Sequence, residues 1–367
     1  MNLINATGMA AGYTLGLDKD GRESLVVVVK GTFLIPRDPH AEPVLAPAQV
    51  PLVTADEFSG EPGQSAPTAE SDYPPHKPRC DVLLHGSAYA PGGRPTDRVT
   101  VALRVGSVHK SFDVVGNRVW QAGAFTIGAS QPQLFTKMPI SYDRAFGGID
   151  KAKGEPDTFR WYQPNPAGVG WHEYLDTKFL DGTPLPNTEE TGHPVKKPNG
   201  TYRPMAFGPV GRSWPPRPKW AGTYDQKWLD DVSPFLPQDF DERYFQAAPE
   251  DQQTDHLKGG EEVELVNLTP RGRTTFRLPR LPVPVEFTLR DATRQEMSPV
   301  IDTLIIEPDQ TRFCVVWRTK LSLRRNIFEA AGILVGRMSP GWYRARAGGK
   351  RHYRSLDEWL TRKAVEK

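Results

Sequence analysis

The sequence predicts a mainly β protein, with an antiparallel sandwich- or barrel-like core, long ordered Pro/Gly/aromatic-rich loops and a short C-terminal helix. Three observations lead there. β-Branched runs recur along the chain, and several of them alternate apolar with polar residues. The 36 prolines are about twice the usual share and oppose an all-helical architecture. At 367 residues the chain is long enough to bury a core without disulfides. One β-rich domain over 1–367 is expected, in which 131–252 forms a long loop lobe and 320–367 a basic C-terminal part.

Ser24 to Ile35 (SLVVVVKGTFLI) is a continuous apolar run closed by Pro36, the pattern of a strand buried on both faces. Pro36 to Pro78 is Pro-rich and polar, so extended connections with at most one short strand are expected. Arg79 to Tyr89 resumes strand character. Val99, Val101, Leu103 and Val105 alternate strictly before the turn at Gly106-Ser107, and Lys110 to Val115 answers them. After Gly116-Asn117 the meander is expected to continue through Arg118 to Gln121. From Gln131 to Trp214 periodicity disappears, yet Tyr142, Phe146, Trp161 and Trp171 argue for ordered loops, because disordered segments are poor in aromatics.

Arg203 to Gln252 holds three tryptophans, Trp214, Trp220 and Trp228, in a Pro-rich frame. Large aromatics in irregular backbone are costly to order, so a packed, specific surface is expected there. Strand patterns return at Glu262–Leu268, Thr274–Leu278, Val283–Leu289, Val300–Glu307 and Arg312–Thr319. Leu356 to Lys367 reads as the one clear helix, with Ser355 as its N-cap.

Net charge is +2, so nothing global points to nucleic acid or to a membrane. No basic segment precedes a long apolar run at the start, and no run reaches the roughly 18 residues of a membrane span, so a cytosolic protein is expected. Cys80 and Cys314 lie in apolar runs and read as buried thiols, with one disulfide as the alternative. Charge is uneven locally: Asp225–Glu264 holds twelve acidic and three basic residues, Trp317–Lys367 thirteen basic and four acidic. Such patches are either solvated faces or surfaces that orient partners.

Catalytic signatures are sparse. There is no G-x-S-x-G elbow, Walker loop, H-E-x-x-H or C-x-x-C. Asp225, Asp239, Asp241 and Glu242, set among Trp214, Trp220, Tyr224 and Trp228, have the residue types of a glycan-cleaving site. The same carboxylates equally suit helix caps, turns and Arg pairs. The D-x-D-E at Asp239–Glu242 lacks the Gly and distal Glu of a calcium loop. In the C-terminal part, GWYRARAGGKRHYR interleaves aromatics with arginines, which suits a phosphate backbone or a protein interface.

Five blocks occur together in order: KPRCDVLLHGSAYAP, SYDRAFGG, NPAGVGW, FGPVGRSWPPRPKWAGTYDQKW and LPQDFDERYFQAAPEDQ. They resemble the bacterial family named domain of unknown function 2169, from about Lys77 to Leu278, more weakly outside. The resemblance implies a non-catalytic cytosolic adaptor or chaperone of the type VI secretion system. Such a protein would bind an effector through its PAAR-containing part and help place it on the VgrG spike, with no cofactor. As interface residues we expect Arg217, Trp220, Tyr224 and Trp228, together with Trp342, Arg344 and Arg346 on the basic C-terminal face; alternatively, the first four are buried and hold the loop lobe together. The rival class is a carbohydrate-active or carbohydrate-binding β protein that uses the loop-lobe aromatics as sugar platforms.

Overall fold

The computed structural model of the chain describes residues 1–350 other than 19, 124 and 125, and beyond them 352, 359, 360 and 363. The valine-rich run forms the strand Glu23–Leu34, with ten of its twelve residues buried. Val27 and Val29 face the main core while Val26 and Val28 pack on the other side with Leu52 and Tyr73. A continuous apolar run thus gives a strand covered on both faces, as expected.

This strand lies inside a six-stranded sheet. Its order is Gln253–Thr254, Cys80–Leu84, Val300–Glu307, Arg312–Ser322, Glu23–Leu34 and Ala10–Leu17. Only Val300–Glu307 and Cys80–Leu84 run parallel. A five-stranded antiparallel sheet follows the order Thr188–Glu189, Val108–Val115, Arg98–Val105, Glu262–Val266, Arg273–Arg277. A four-stranded sheet orders Asn2–Asn5, Ala330–Val335, Val285–Leu289, Arg294–Met297. Each sheet is open, so the core is sandwich-like and not a closed barrel.

Inward residues of all three sheets share one apolar cluster, including Val29, Phe313, Leu103, Phe112, Phe276 and Phe287. The Phe276 and Phe313 rings meet across it at 4.9 Å. Burying each such side chain stabilises the fold by about 1.5–3 kcal/mol. Both cysteines are free and buried, Cys80 in this core and Cys314 on the opposite face of the sheet beside Thr32.

Several elements differ from the sequence expectation. The segment 36–78 holds two short strands, Glu57–Phe58 and Pro67–Ala69, where at most one was expected. Trp120–Ala122 pairs with Ile127–Ala129 and does not extend the Arg98–Val115 hairpin. Pro340–Ala347 is a helix capped by Ser339 that the glycines and proline around it obscured. The expected helix Leu356–Lys367 falls mostly outside the described residues; Trp359, Leu360 and Lys363 are helical. No helix among the described residues is long and apolar enough to cross a membrane.

A second, smaller apolar cluster lies apart from the main core. Trp120, Phe146, Tyr162, Leu180, Leu185 and Val195 cluster together, with Trp171 and Tyr202 packed against them. Gly147 sits at φ 151, and a Cβ there would lie 2.1 Å from the Asn165 carbonyl oxygen, so SYDRAFGG and NPAGVGW meet only because this position lacks a side chain. Of the four aromatics named for the aperiodic region, Tyr142, Phe146 and Trp171 are packed, while Trp161 is 44% exposed.

Candidate docking surface

Strand register sets the outer face of the six-stranded sheet, away from the main core. Lys30 and Thr303 both lie opposite Val316, Asp81 lies opposite Thr303, and Arg318 is two residues beyond Val316. A register shift between Ile301 and Thr303 bulges the strand at Asp302, whose carboxylate pairs with the Arg318 guanidinium. Arg318 also donates to the carbonyls of Asp72 at 2.6 Å and Pro74 at 3.0 Å. Lys30 donates to Asp72 at 3.0 Å. Lys77 donates to Asp81 at 2.7 Å and to the Thr303 hydroxyl at 3.1 Å.

None of Lys30, Asp72, Lys77, Asp81, Asp302 and Arg318 is more than 6% exposed. Charges so buried are tolerated only when paired and hydrogen-bonded. Burial alone would pull the Lys77 ammonium down, but the charges of Asp81 and Asp302 outweigh it and hold Lys77 above its ordinary value. Beside this network lies a cavity of about 420 Å³ whose lining includes Lys30, His85 and Cys314. Burial lowers the His85 pKa, with Glu307 opposing.

Asp81 links the sheet to the aromatic segment. Its carboxylate accepts from Gln246 Nε2 at 2.6 Å, from the Ala247 amide at 2.9 Å and from the Ala248 amide at 3.1 Å. At the other end of the segment Arg217, 1% exposed, donates to the Val210 carbonyl at 2.7 Å and twice to the Tyr244 carbonyl, and pairs with Glu70. Arg217 therefore braces the segment from within. As an outward interface anchor it is corrected: its donors are taken up by carbonyls and by the Glu70 carboxylate, which Arg212 also approaches at 3.7 Å.

Between these anchors the chain turns outward. Trp220 is half-buried, with the cations of Lys219 and Arg243 over its ring at 5.2 and 5.1 Å. The helix Gln226–Asp231 is capped by Asp225, which accepts from the Trp228 amide at 2.8 Å. Trp228 is half-buried, donates to the Phe235 carbonyl at 2.9 Å and meets the Tyr224 ring edge-on at 4.8 Å. Tyr224 is 54% exposed, Leu229 54% and Phe235 43%, so one short stretch presents three large apolar side chains.

The four carboxylates singled out by sequence all have local partners. Asp225 is the cap, Asp239 accepts from the Thr223 amide at 2.9 Å and hydroxyl at 2.7 Å, Asp241 pairs with Arg243, and Glu242 pairs with His76 at 2.9 Å. Capping and pairing, which the sequence allowed for these groups, are thus present in the structure. A pocket of about 520 Å³ lies alongside, lined by Leu17, Pro75, Leu236, Phe240 and Phe245 among others.

The C-terminal candidates sit elsewhere, on the four-stranded sheet. Trp342 and Arg346 line a crevice with Glu286 and Arg294, and the Arg346 guanidinium lies 5.0 Å over the Trp342 ring. Arg344 is exposed. Sequence reasoning missed the Lys30, Asp81, Asp302 and Arg318 network. The available signal was a charged residue inside an otherwise apolar strand, as in VVVVKGTF, CDVLL and VVWRT.

Fold and surface together define a β-sandwich scaffold that clamps an irregular aromatic segment and turns part of it to solvent. The chain belongs to the family described as an uncharacterized protein conserved in bacteria (DUF2169), whose pattern matches residues 20–318. That span reaches beyond Lys77–Leu278 to include Glu23–Leu34 and most of Arg312–Ser322, two adjacent strands of the large sheet. No curated protein and no solved structure matches the chain.

Proposed function

We propose that this chain is a non-catalytic cytosolic adaptor that binds a type VI secretion effector through its PAAR-containing part and helps load it onto the VgrG spike. The reading joins the resemblance carried by the five sequence blocks to one observation. Within a single segment, Trp214 and Arg217 are buried and bonded while Tyr224, Leu229 and Phe235 point outward. Apolar anchors on a braced platform suit protein recognition, because little ordering cost remains when the partner arrives. The role requires no cofactor, nucleic acid or membrane.

The test is co-purification of the tagged chain with the PAAR-containing effector encoded beside it, identified by mass spectrometry. The paired change Tyr224→Ser and Leu229→Glu should abolish that complex while leaving the melting temperature within about 2 °C, since both side chains are exposed. No wild-type complex, together with unchanged secretion on deletion, would sink the proposal. Binding or cleavage of members of a glycan panel by the wild type would support the rival carbohydrate reading.

A further inference from the structure

The helix Gln226–Asp231 carries its charges in an inverted order. Lys227 stands in its first turn and Asp230 and Asp231 in its last, with no acid in the first turn and no base in the last. The partial charges at helix ends favour the reverse, anions at the N-terminus and cations at the C-terminus. Asp225, the cap, is the one charge placed with the dipole. Local propensity is therefore given up here, and such breaches gather at functional sites.

These aspartates are also left without cations. Carboxylates close by are neutralised: Asp18 by Lys320, Asp20 by Arg22 and Asp241 by Arg243. Among the described residues, no lysine, arginine or histidine nitrogen comes within 4.0 Å of the carboxylate of Asp225, Asp230 or Asp231. Asp230 accepts from Gln226 Nε2 at 2.8 Å, a neutral donor. Over 223–239 the chain sets four aspartates against the single cation Lys227.

The same helix positions the apolar anchors. The Trp228 ring meets Tyr224 and its Nε1 holds the Phe235 carbonyl, while Leu229 directly precedes Asp230. The six helical residues span about 9 Å, so the anchors and the uncompensated carboxylates form one surface. Large apolar side chains gathered on a surface and rimmed by polar groups mark interaction sites. We infer that the surface at Tyr224, Leu229 and Phe235 receives a basic face of the carried protein, an apolar recess rimmed by lysine or arginine that Asp230 and Asp231 draw in. The inference rests on the adaptor reading and specifies the chemistry of the bound protein. Rim charges of this kind act mainly on the rate of encounter and on the rejection of wrong partners.

A second copy of this chain fits the surface poorly. A two-fold contact is self-complementary and would set the aspartates of one copy against those of the other, like charge on like. A head-to-tail contact would need the basic C-terminal part as receiver. The crevice there, between Trp342, Arg346, Glu286 and Arg294, measures about 40 Å³, room for a few waters and not for a tyrosine, a leucine and a phenylalanine.

The experiment measures association of the full chain with the co-purified PAAR-containing effector by biolayer interferometry, at about 50 and about 500 mM NaCl. For the wild type the association rate constant should fall on the order of tenfold across that range. At the lower salt the double change Asp230→Lys and Asp231→Lys should slow association on the order of tenfold and leave dissociation within about twofold. That variant should melt no lower than wild type, because lysines in a last turn suit the helix dipole. Glu61→Lys with Asp157→Lys alters two exposed acids elsewhere and changes net charge equally, and should leave the rate within about twofold. Equal rates for the aspartate variant and wild type, an equal loss in the Glu61 and Asp157 pair, or faster association of the aspartate variant overturns the inference and leaves the adaptor reading standing. So does salt-sensitive self-association of the wild type that the aspartate changes abolish, which would assign the surface to two copies. No wild-type complex with the effector at all defeats the adaptor reading itself.

Discussion

Replacing Asp81 with Asn probes the joint between sheet and aromatic segment with almost no change of shape. Asp81 is fully buried and accepts hydrogen bonds from Lys77, Gln246, Ala247 and Ala248. Asn keeps one acceptor but places an NH₂ group against donors, and it leaves the Lys77 ammonium, 4% exposed, without its carboxylate. Removing one partner of a buried pair costs about 3–5 kcal/mol. At about 2.1 cal/mol/K per residue, unfolding of the chain carries about 0.8 kcal/mol/K, so the melting temperature should fall by about 4–6 °C. Calorimetry reads that shift, and hydrogen exchange should show earlier loss of protection at Ala247 and Ala248 than in the central strands. The raised Lys77 pKa adds a sign. Its stabilisation is complete below about 10.5, the unfolded lysine value, and fades as pH rises through the higher folded value. Asp81→Asn should therefore lose less, relative to wild type, in strong alkali than at neutral pH. A variant that melts within about 1 °C of wild type, with Ala247 and Ala248 still protected, would refute the assignment of Asp81 as the joint.

Other perturbations follow from the same geometry. Burial pulls the Lys110 ammonium down to about 8 despite Asp251 beside it; the depressed value means stability from this group is complete above about 10.5 and lost as pH falls through about 8, a difference of about 3 kcal/mol. Urea midpoints of wild type should rise between pH 7.5 and 9.5 more than those of Lys110→Met. A Cβ on Gly12 would lie 2.3 Å from the Tyr73 hydroxyl, so Gly12→Ala should destabilise by about 1–3 kcal/mol, and adding Tyr73→Phe should return part of it in a double-mutant cycle. Arg217→Met removes the nearer of two guanidiniums from the Glu70 carboxylate, leaving Arg212 at 3.7 Å, and should cost about 1–3 kcal/mol by denaturant titration, in contrast to the stability-neutral changes at Tyr224 and Leu229.

What could be read from sequence was local. Val99, Val101, Leu103 and Val105 alternate because one strand face meets the core, and they form the strand Arg98–Val105 as expected. Ser24–Ile35 announced a strand covered on both faces, but not that Lys30 within it would meet Asp72 from a covering loop. That pair, like Asp81 with Gln246, joins a strand to a loop 42 or 165 residues away, which no window of sequence contains, while Arg318 meets Asp302 through a bulge in their hairpin. The carboxylates near Trp228 illustrate the opposite case. Asp225 stands three residues before the amide it caps, a legible N-cap spacing, yet its aromatic neighbours made a catalytic group equally consistent with the residue types. Arg217 was misjudged as an outward anchor because an arginine among prolines and tryptophans looks the same from sequence whether its guanidinium meets a partner or the chain's own carbonyls.

The order of strands in the large sheet also bears on synthesis. Glu23–Leu34 sits between Ala10–Leu17 and Arg312–Ser322, and the second of these neighbours is about 280 residues downstream. At about 5–20 residues per second, a ribosome needs roughly 15–60 s to deliver it. Through that interval the nascent valine strand has a hairpin partner on one side and nothing on the other. A truncated product ending before residue 312 leaves that edge of the valine strand open and should collect in inclusion bodies.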